Sequence, residues 1–523
     1  MQQWLLRISM VIILVILVFL VWVFRNLRDR HPGYELDLRI DGAAAPGPLQ
    51  VGFAALPITP AVPDTWIDSN GDARFREEDG DRYEDRNGNG VFDAIYIAGF
   101  HGNRPAQGVH DDLWTRVMVI DDGKTRLAVA VLDAIGFLHD DVLDVRERIP
   151  ESAGIDYAVI CSTHDHEAPD LIGIWGKTPF VSGVNSEYLE FVKDQTAAAI
   201  ARAAGRLRVA KLRFVQDMEA ARAWVHDTRK PIVLDPGIRV MQAVDAETDT
   251  TLGVFISWAN HPETLWSNNL QISSDFPHYV RYFVEKGIYH GGRLVQPGLG
   301  GVAVYANGAI GGLMTTSPEF AIPDAFSDTS YTEPSFAKAR AQGLHLARVV
   351  LQMLDRPEVV EIREAGISLR AKSFHLPVDN LRFRLAAALG VINRGFEKGF
   401  KMQSEAAVWT LGPASFITIP GEIYPEIVNG GIEAPAGQDF SIQPLELPPL
   451  RELMPGQFKF VLGLANDEIG YIIPKSEWDE EPPFLYNADS SPYGEINSTG
   501  PEAAPIIHNV LKELLQDLRQ SPE

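Results

Sequence analysis

Four apolar runs along the chain end abruptly in polar, ligand-like residues. Tyr157-Ala-Val-Ile gives way to "CSTHDHEAPD" (161–170), "TLGVFISWANHPETLW" (251–266) turns polar at His261, and "SFITIPGEIYPEIV" (415–428) breaks at Pro420-Gly421 before Glu422. The fourth, "FKFVLGLANDEIGYIIP" (458–474), passes through Asn466-Asp467-Glu468 to Tyr471. Short continuous apolar runs bounded by turn residues predict buried strands, with a helix expected to open at Glu422. Helical spacing appears instead in 334–356 and in "IIHNVLKELLQDLRQ" near the C-terminus, read as packed amphipathic helices. The stretch 379–400, ending near Phe396 and Phe400, has the same character; core packing is its simpler role and an acyl-binding groove the alternative. Strands mixed with helices predict an α/β fold, mixed sheets covered by helices.

From Ile8 to Phe24 about 17 residues carry no charge, enough for a short membrane span. Arg25, Arg28 and Arg30 follow where a signal peptide would place small residues for cleavage, so an uncleaved N-terminal transmembrane helix is expected. The predicted organisation is an anchor over 1–30, a linker over 31–50 containing "GAAAPGPLQ", and one catalytic-type domain over 51–523. Taken literally, the three arginines place that domain in the cytoplasm.

Charge and cysteine usage narrow the chemistry. A net charge of -24 argues against nucleic acid as a partner, because like charges repel. The single cysteine, Cys161, excludes an intrachain disulfide and a cysteine-based zinc cluster. The glycine-rich stretch 289–312 lacks any phosphate-loop or dinucleotide fingerprint.

Residues 68–93, "DSNGDARFREEDGDRYEDRNGNGVFD", repeat an acidic spacing. Asp68, Asn70 and Asp72, with Asp79 at position 12, match a calcium loop, and Asp85, Asn87 and Asn89, with Asp93 at position 9, match it again. Alternate oxygen-bearing residues on a tight turn converge on a hard cation, which makes calcium the expected ligand. The first copy lacks the turn glycine, the second has Tyr96 where a bidentate Glu belongs, and no helical pattern flanks either; a solvated acidic loop is the alternative.

Ligand sites in α/β folds gather outside the carboxyl ends of strands. Four strand ends offering His164, His261, Glu422 and Tyr471 therefore read as one site, and imidazole with carboxylate suits zinc. Asp165 and Glu167 flank the histidines as candidate orienting groups.

Together, "STHDHEAPD", "NHPETLWSNNLQISSD", "IPGE" and "NDEIGY" resemble, in order, the motifs of the neutral (non-lysosomal) ceramidase family, from about Val51 to the C-terminus. The resemblance implies zinc held by His164, His261, Glu422 and Tyr471, with His166 beside the metal rather than on it, and Arg222 in "ARAWVHD" as an active-site arginine. It also implies an exported protein, periplasmic or extracellular, acting on a lipid amide; calcium-like loops agree with that side of the membrane. Two departures stand out. Gly312 falls where the family has its catalytic serine, with Thr315, Thr316 and Ser317 close by, and about fifty residues after Tyr471 leave no room for the family's immunoglobulin-like tail.

A metal-bound hydroxide needs no side-chain nucleophile, since zinc brings the pKa of its water to roughly 7. The expected function is a zinc-dependent amidohydrolase on a ceramide-like or other N-acylated substrate, with His166 as base or relay and Arg222 and Tyr471 on the oxyanion. An esterase or phosphoesterase is a variant within the enzyme class. A non-catalytic, ceramidase-like pseudoenzyme or calcium-dependent binding module is the alternative.

Overall fold

The structure is a computed structural model and describes residues 2–314, 320–397 and 399–520. Its centre is two mixed sheets packed face to face. The larger is built from β1 (Gln50–Pro57), β2 (Trp114–Asp121), β3 (Arg126–Leu132), β4 (Tyr157–Ser162), β5 (Arg208–Asp217), β6 (Ile238–Asp245), β7 (Thr251–Trp258) and β8 (Val302–Asn307). Its order is β8-β7-β6-β5-β1-β2-β3-β4, with the short strand Val360–Ile362 also on β5. Pairs β3/β4 and β7/β8 are parallel and the other pairs antiparallel. The second sheet holds β9 (Ile367–Pro377), β10 (Lys401–Leu411), β11 (Ala414–Thr418) and β12 (Phe458–Leu462), with Asp37–Ile40 as its edge strand.

Apolar side chains from both sheets interdigitate in one core: Phe53, Val129, Phe214 and Phe255 meet Leu369, Trp409, Phe416 and Phe460. Phe214 stacks on Phe458 at 5.5 Å and Phe255 meets Phe460 edge-on at 6.1 Å, spacings at which aromatic pairs attract beyond area burial. Helices cover the outer faces. α2 (Ser186–Ala204) buries Leu189, Val192 and Ile200 on the β2–β4 side, while α3 (Asp275–Lys286) and α4 (Phe336–Met353) lie over β6–β8. α6 (Ala503–Arg519) covers the second sheet. Strands buried on both faces explain why their sequences read as continuous apolar runs rather than alternation. The expected α/β class, mixed sheets under helices, is what the chain forms.

The N-terminal segment and the short helix after β9 matter for the site. α1 (Gln2–Leu27) projects as a solvent-exposed apolar helix, long enough to span a bilayer or to act as a signal sequence. Residues 31–50, expected as a linker, are instead part of the domain: Asp37–Ile40 pairs antiparallel with β9, and Tyr34 Oη donates to Glu405 Oε2 at 2.7 Å. α5 (Leu381–Ala388) is much shorter than the amphipathic stretch 379–400 and is capped by the Asn380 side chain.

Glu405 anchors this junction. Its carboxylate is fully buried, accepts from Arg146 (2.7 and 3.0 Å), Tyr157 (2.5 Å) and Tyr34, and is pulled from 4.5 to about 2, because the Arg146 pair outweighs the burial that alone would raise it. Glu405→Ala strands a guanidinium and two phenols, and we expect a loss of roughly 3–5 kcal/mol, measured by urea unfolding at pH 7. A depressed folded-state pKa stabilises above the unfolded value. The difference between wild type and variant should therefore shrink as pH falls from 4.5 towards 2.

Candidate metal centre

β4 and β7 carry the two histidine segments, and they stand far apart in the strand order. The sheet curls until its edges meet. Asn307, at the end of β8, donates through Nδ2 to Thr163 O (2.9 Å) and Asn260 O (2.8 Å), clasping the residues before His164 and His261. The second sheet is stitched on at the same place, with Ser162 N donating to Leu464 O and Asn466 N to Ile160 O. Gly463 is required there: a Cβ would fall 2.2 Å from Gly308 O.

His164 itself sits at φ +64°, a left-handed conformation that costs a non-glycine residue energy and is found where surroundings impose it. Its Nδ1 lies 2.6 Å from Ile135 O, which only accepts, so Nδ1 carries the proton and Nε2 turns a lone pair inward. That Nε2 is 3.3 Å from Glu422 Oε2, and His261 Nε2 is 3.0 Å from the same oxygen. Burial alone would raise the Glu422 carboxyl, but the two imidazoles hold it well below the usual carboxylate range. Glu422 belongs to a two-residue strand, Glu422–Ile423, paired in parallel with Tyr471–Ile472, so that Glu422 and Tyr471 are register partners. The helix expected to open at Glu422 begins at Pro425, where proline's fixed φ suits the first turn.

His164, His166 and His261 form a buried group whose ring nitrogens lie within 4.8 Å of one another, close enough to hold a metal ion. His166 is held neutral by burial and by the two neighbouring histidines, and neither ring nitrogen has a hydrogen-bond partner among the described residues. A residue not singled out from sequence, Glu263, stands 3.8 Å from His166 Nδ1 and is pushed up to about 7 by burial. Its position two residues after His261 was the only local signal. Asp165 and Glu167 are buried beneath, both raised by burial, Glu167 to about 8; Asn269 donates to Glu167 at 2.8 Å and the buried Arg104 faces it at 3.6 Å.

His164, His166, Glu422 and Tyr471 open on a cavity of about 600 Å³ whose walls are largely apolar, including Phe100, Ile135, Ile172, Trp175, Phe383 and Phe396. Phe396 both lines this cavity and packs in the core. The Tyr471 hydroxyl, kept protonated by burial and by the Glu422 charge, hydrogen-bonds the hydroxyl of Tyr493, which lines the same cavity.

Other expected residues lie elsewhere. Arg222 stands on a surface turn, half-exposed and ion-paired to Glu219 three residues back, outside the cavity wall. Gly312 packs against Tyr424 and Asp227 at φ +76°, and a Cβ there would meet Asp227 Oδ1 at 3.1 Å. Gly312→Ser should therefore cost about 1–2 kcal/mol and raise no activity, as thermal melts and rate assays would show. Thr315, Thr316 and Ser317 lie outside the described residues.

In the acidic loops, Asp68 and Asp85 are satisfied by backbone N–H groups of their own turns, and Asn87 and Asn89 both donate to Asp93. Arg76 Nη1 stands between Asp72 (2.9 Å) and Asp79 (3.0 Å), pairing with two of the oxygen donors of the first loop, and Asn70 Oδ1 accepts from the N–H of Asp72.

No family model matches the chain, and no curated protein matches it. Solved structures do. The crystal structure of neutral ceramidase from Pseudomonas aeruginosa has the same fold, with a TM-score of 0.62 over 90% of this chain and 75% of that one at 16% identity. A ceramidase complexed with C2 aligns with a TM-score of 0.60, the same coverage and 16% identity. The fold is that of the neutral ceramidases, as the sequence motifs led one to expect.

Proposed function

We propose that this protein is a zinc-dependent hydrolase of the ceramidase kind that cleaves the amide of an N-acylated lipid. The observation that carries the reading is the meeting of two imidazole nitrogens and one carboxylate oxygen at the base of an apolar cavity. With its Nδ1 proton turned to Ile135 O, His164 meets the Glu422 oxygen through Nε2, and a metal ion bound between the imidazoles and the carboxylate would satisfy all three atoms. The donor set, nitrogen with carboxylate oxygen, suits zinc. His164, His261 and Glu422 would hold it, and the protonated Tyr471 hydroxyl, on the strand paired with Glu422, is left to face the substrate.

Zinc, when bound, would polarise the substrate carbonyl and acidify a water. The chain's own groups do the rest. The apolar walls bind the acyl chain and keep water out. His166, neutral and with free ring nitrogens, accepts the proton of the attacking water and passes it to the leaving amine, with Glu263 stabilising the imidazolium. The Tyr471–Tyr493 hydroxyl pair donates to the developing oxyanion. Because no side-chain nucleophile is required, glycine at position 312 is compatible with turnover. A second reading, His166 as a third nitrogen ligand, is favoured by the 4.8 Å clustering of the three imidazoles. His166→Ala decides between them: as the base it keeps the metal and loses activity, as a ligand it loses both.

The test of function is a panel of N-acyl amides, esters and phosphoesters assayed before and after chelation. Amide hydrolysis that disappears with the metal and returns with zinc supports the reading. A protein inert on every substrate with zinc supplied would return it to the binding-module class. We further propose that α1 is retained as an anchor, since Asn26 and Leu27 are bonded into the domain, and that the domain faces the periplasm or the exterior.

A further inference from the structure

The last turn of α1 is bonded to the segment that forms one wall of the cavity. Asn26 Nδ2 donates to Ala388 O at 3.0 Å, at the end of α5, and Phe396 N donates to Leu27 O at 3.1 Å. Arg28 forms a bridge with Phe396, and Arg30 and His31 engage Asp140. Phe383 on α5 and Phe396 after it both line the cavity. The anchor is therefore no loose tether but the outer support of the cavity's α5 wall.

The depth of the bilayer follows from the helix. Trp4 and Trp22 are both exposed, and 18 residues of helix separate them by roughly 27 Å, close to the thickness of a hydrocarbon core with tryptophan at each interface. Asn26 then lies about one turn beyond the boundary, so α5 sits at the membrane surface. Leu381 and Leu385 of α5, one turn apart on one face, are 65% and 53% exposed. Arg25 and Arg28, at and just beyond the end of α1, and Arg382 on α5 are exposed on a chain of net charge -24, and cationic groups on these two elements complement anionic headgroups.

We infer that the α5 face bearing Leu381 and Leu385 is a second membrane contact, dipped into the interface beside α1, and that lipid tails enter the cavity from the bilayer past Phe383. The loading step rests on the proposed lipid-amide activity; the contact itself does not.

The full chain is reconstituted in vesicles of phosphatidylcholine and phosphatidylglycerol with brominated acyl chains, after attaching a fluorophore at Leu385→Cys. Cys161 is buried and will not label. Val15→Cys within α1 is the positive control, and Thr248→Cys, at the far end of β7 from His261, is the negative one. We expect quenching at 385 and 15 and none at 248. Quenching at 15 alone, including that from a second copy covering the face in the membrane, overturns the contact. In the activity arm, Leu381→Glu/Leu385→Glu should lower cleavage of a bilayer-embedded long-chain amide about tenfold and leave a water-soluble short-chain amide within about twofold. Equal loss on both overturns loading. Absence of all amidase activity would sink the functional reading and leave the quenching result to decide the contact.

Discussion

Glu422→Gln should empty the metal site and lower kcat/KM by about three orders of magnitude or more, the scale of several kcal/mol of charge stabilisation from a catalytic metal. The amide keeps the size of the side chain but removes the charge on which His164 and His261 converge at 3.3 and 3.0 Å. Folding should be little affected, because the strand pairing of Glu422 with Tyr471 is made by the backbone. Metal content by mass spectrometry and kcat/KM measured on the same preparation give the result. A variant that keeps its metal and its rate removes Glu422 from the centre.

Tyr471→Phe should separate binding from chemistry. Its ring fills the cavity wall in either form, so KM should stay within about twofold, while kcat falls about 100-fold with the loss of a donor to the oxyanion. Tyr493→Phe, one hydrogen bond removed, should fall less, because its hydroxyl acts through that of Tyr471. Equal losses in KM and none in kcat would make Tyr471 a binding residue only.

Much of the centre was legible because it is made at strand ends. The runs before His164 and His261 are continuous and apolar because both faces of β4 and β7 are covered, and a polar histidine directly after such a run has few places to go but the rim. Glu422 and Tyr471 followed from the same logic, although their direct pairing depends on a two-residue strand that no periodicity reveals. The cavity was less legible. Phe100, Trp175 and Phe383 reach it from loops and a short helix brought together only by long-range packing. Arg222 failed because its match was purely local, and the turn that carries it points to solvent. In the acidic loops, Asx turns and a calcium loop impose the same alternation of Asp and Asn, so the spacing fits both readings. The segment after the anchor has the small residues of a linker, yet Leu38 and Ile40 alternate with polar neighbours, the mark of the edge strand they form.

The central claim is that one metal ion is shared by distant segments of the chain. Crystals of the zinc-loaded protein, measured on both sides of the zinc absorption edge, test it most directly. The account predicts one strong anomalous peak about 2.0–2.2 Å from His164 Nε2, His261 Nε2 and a Glu422 oxygen. A map without a peak between those three residues, from protein that still hydrolyses amides, would contradict it.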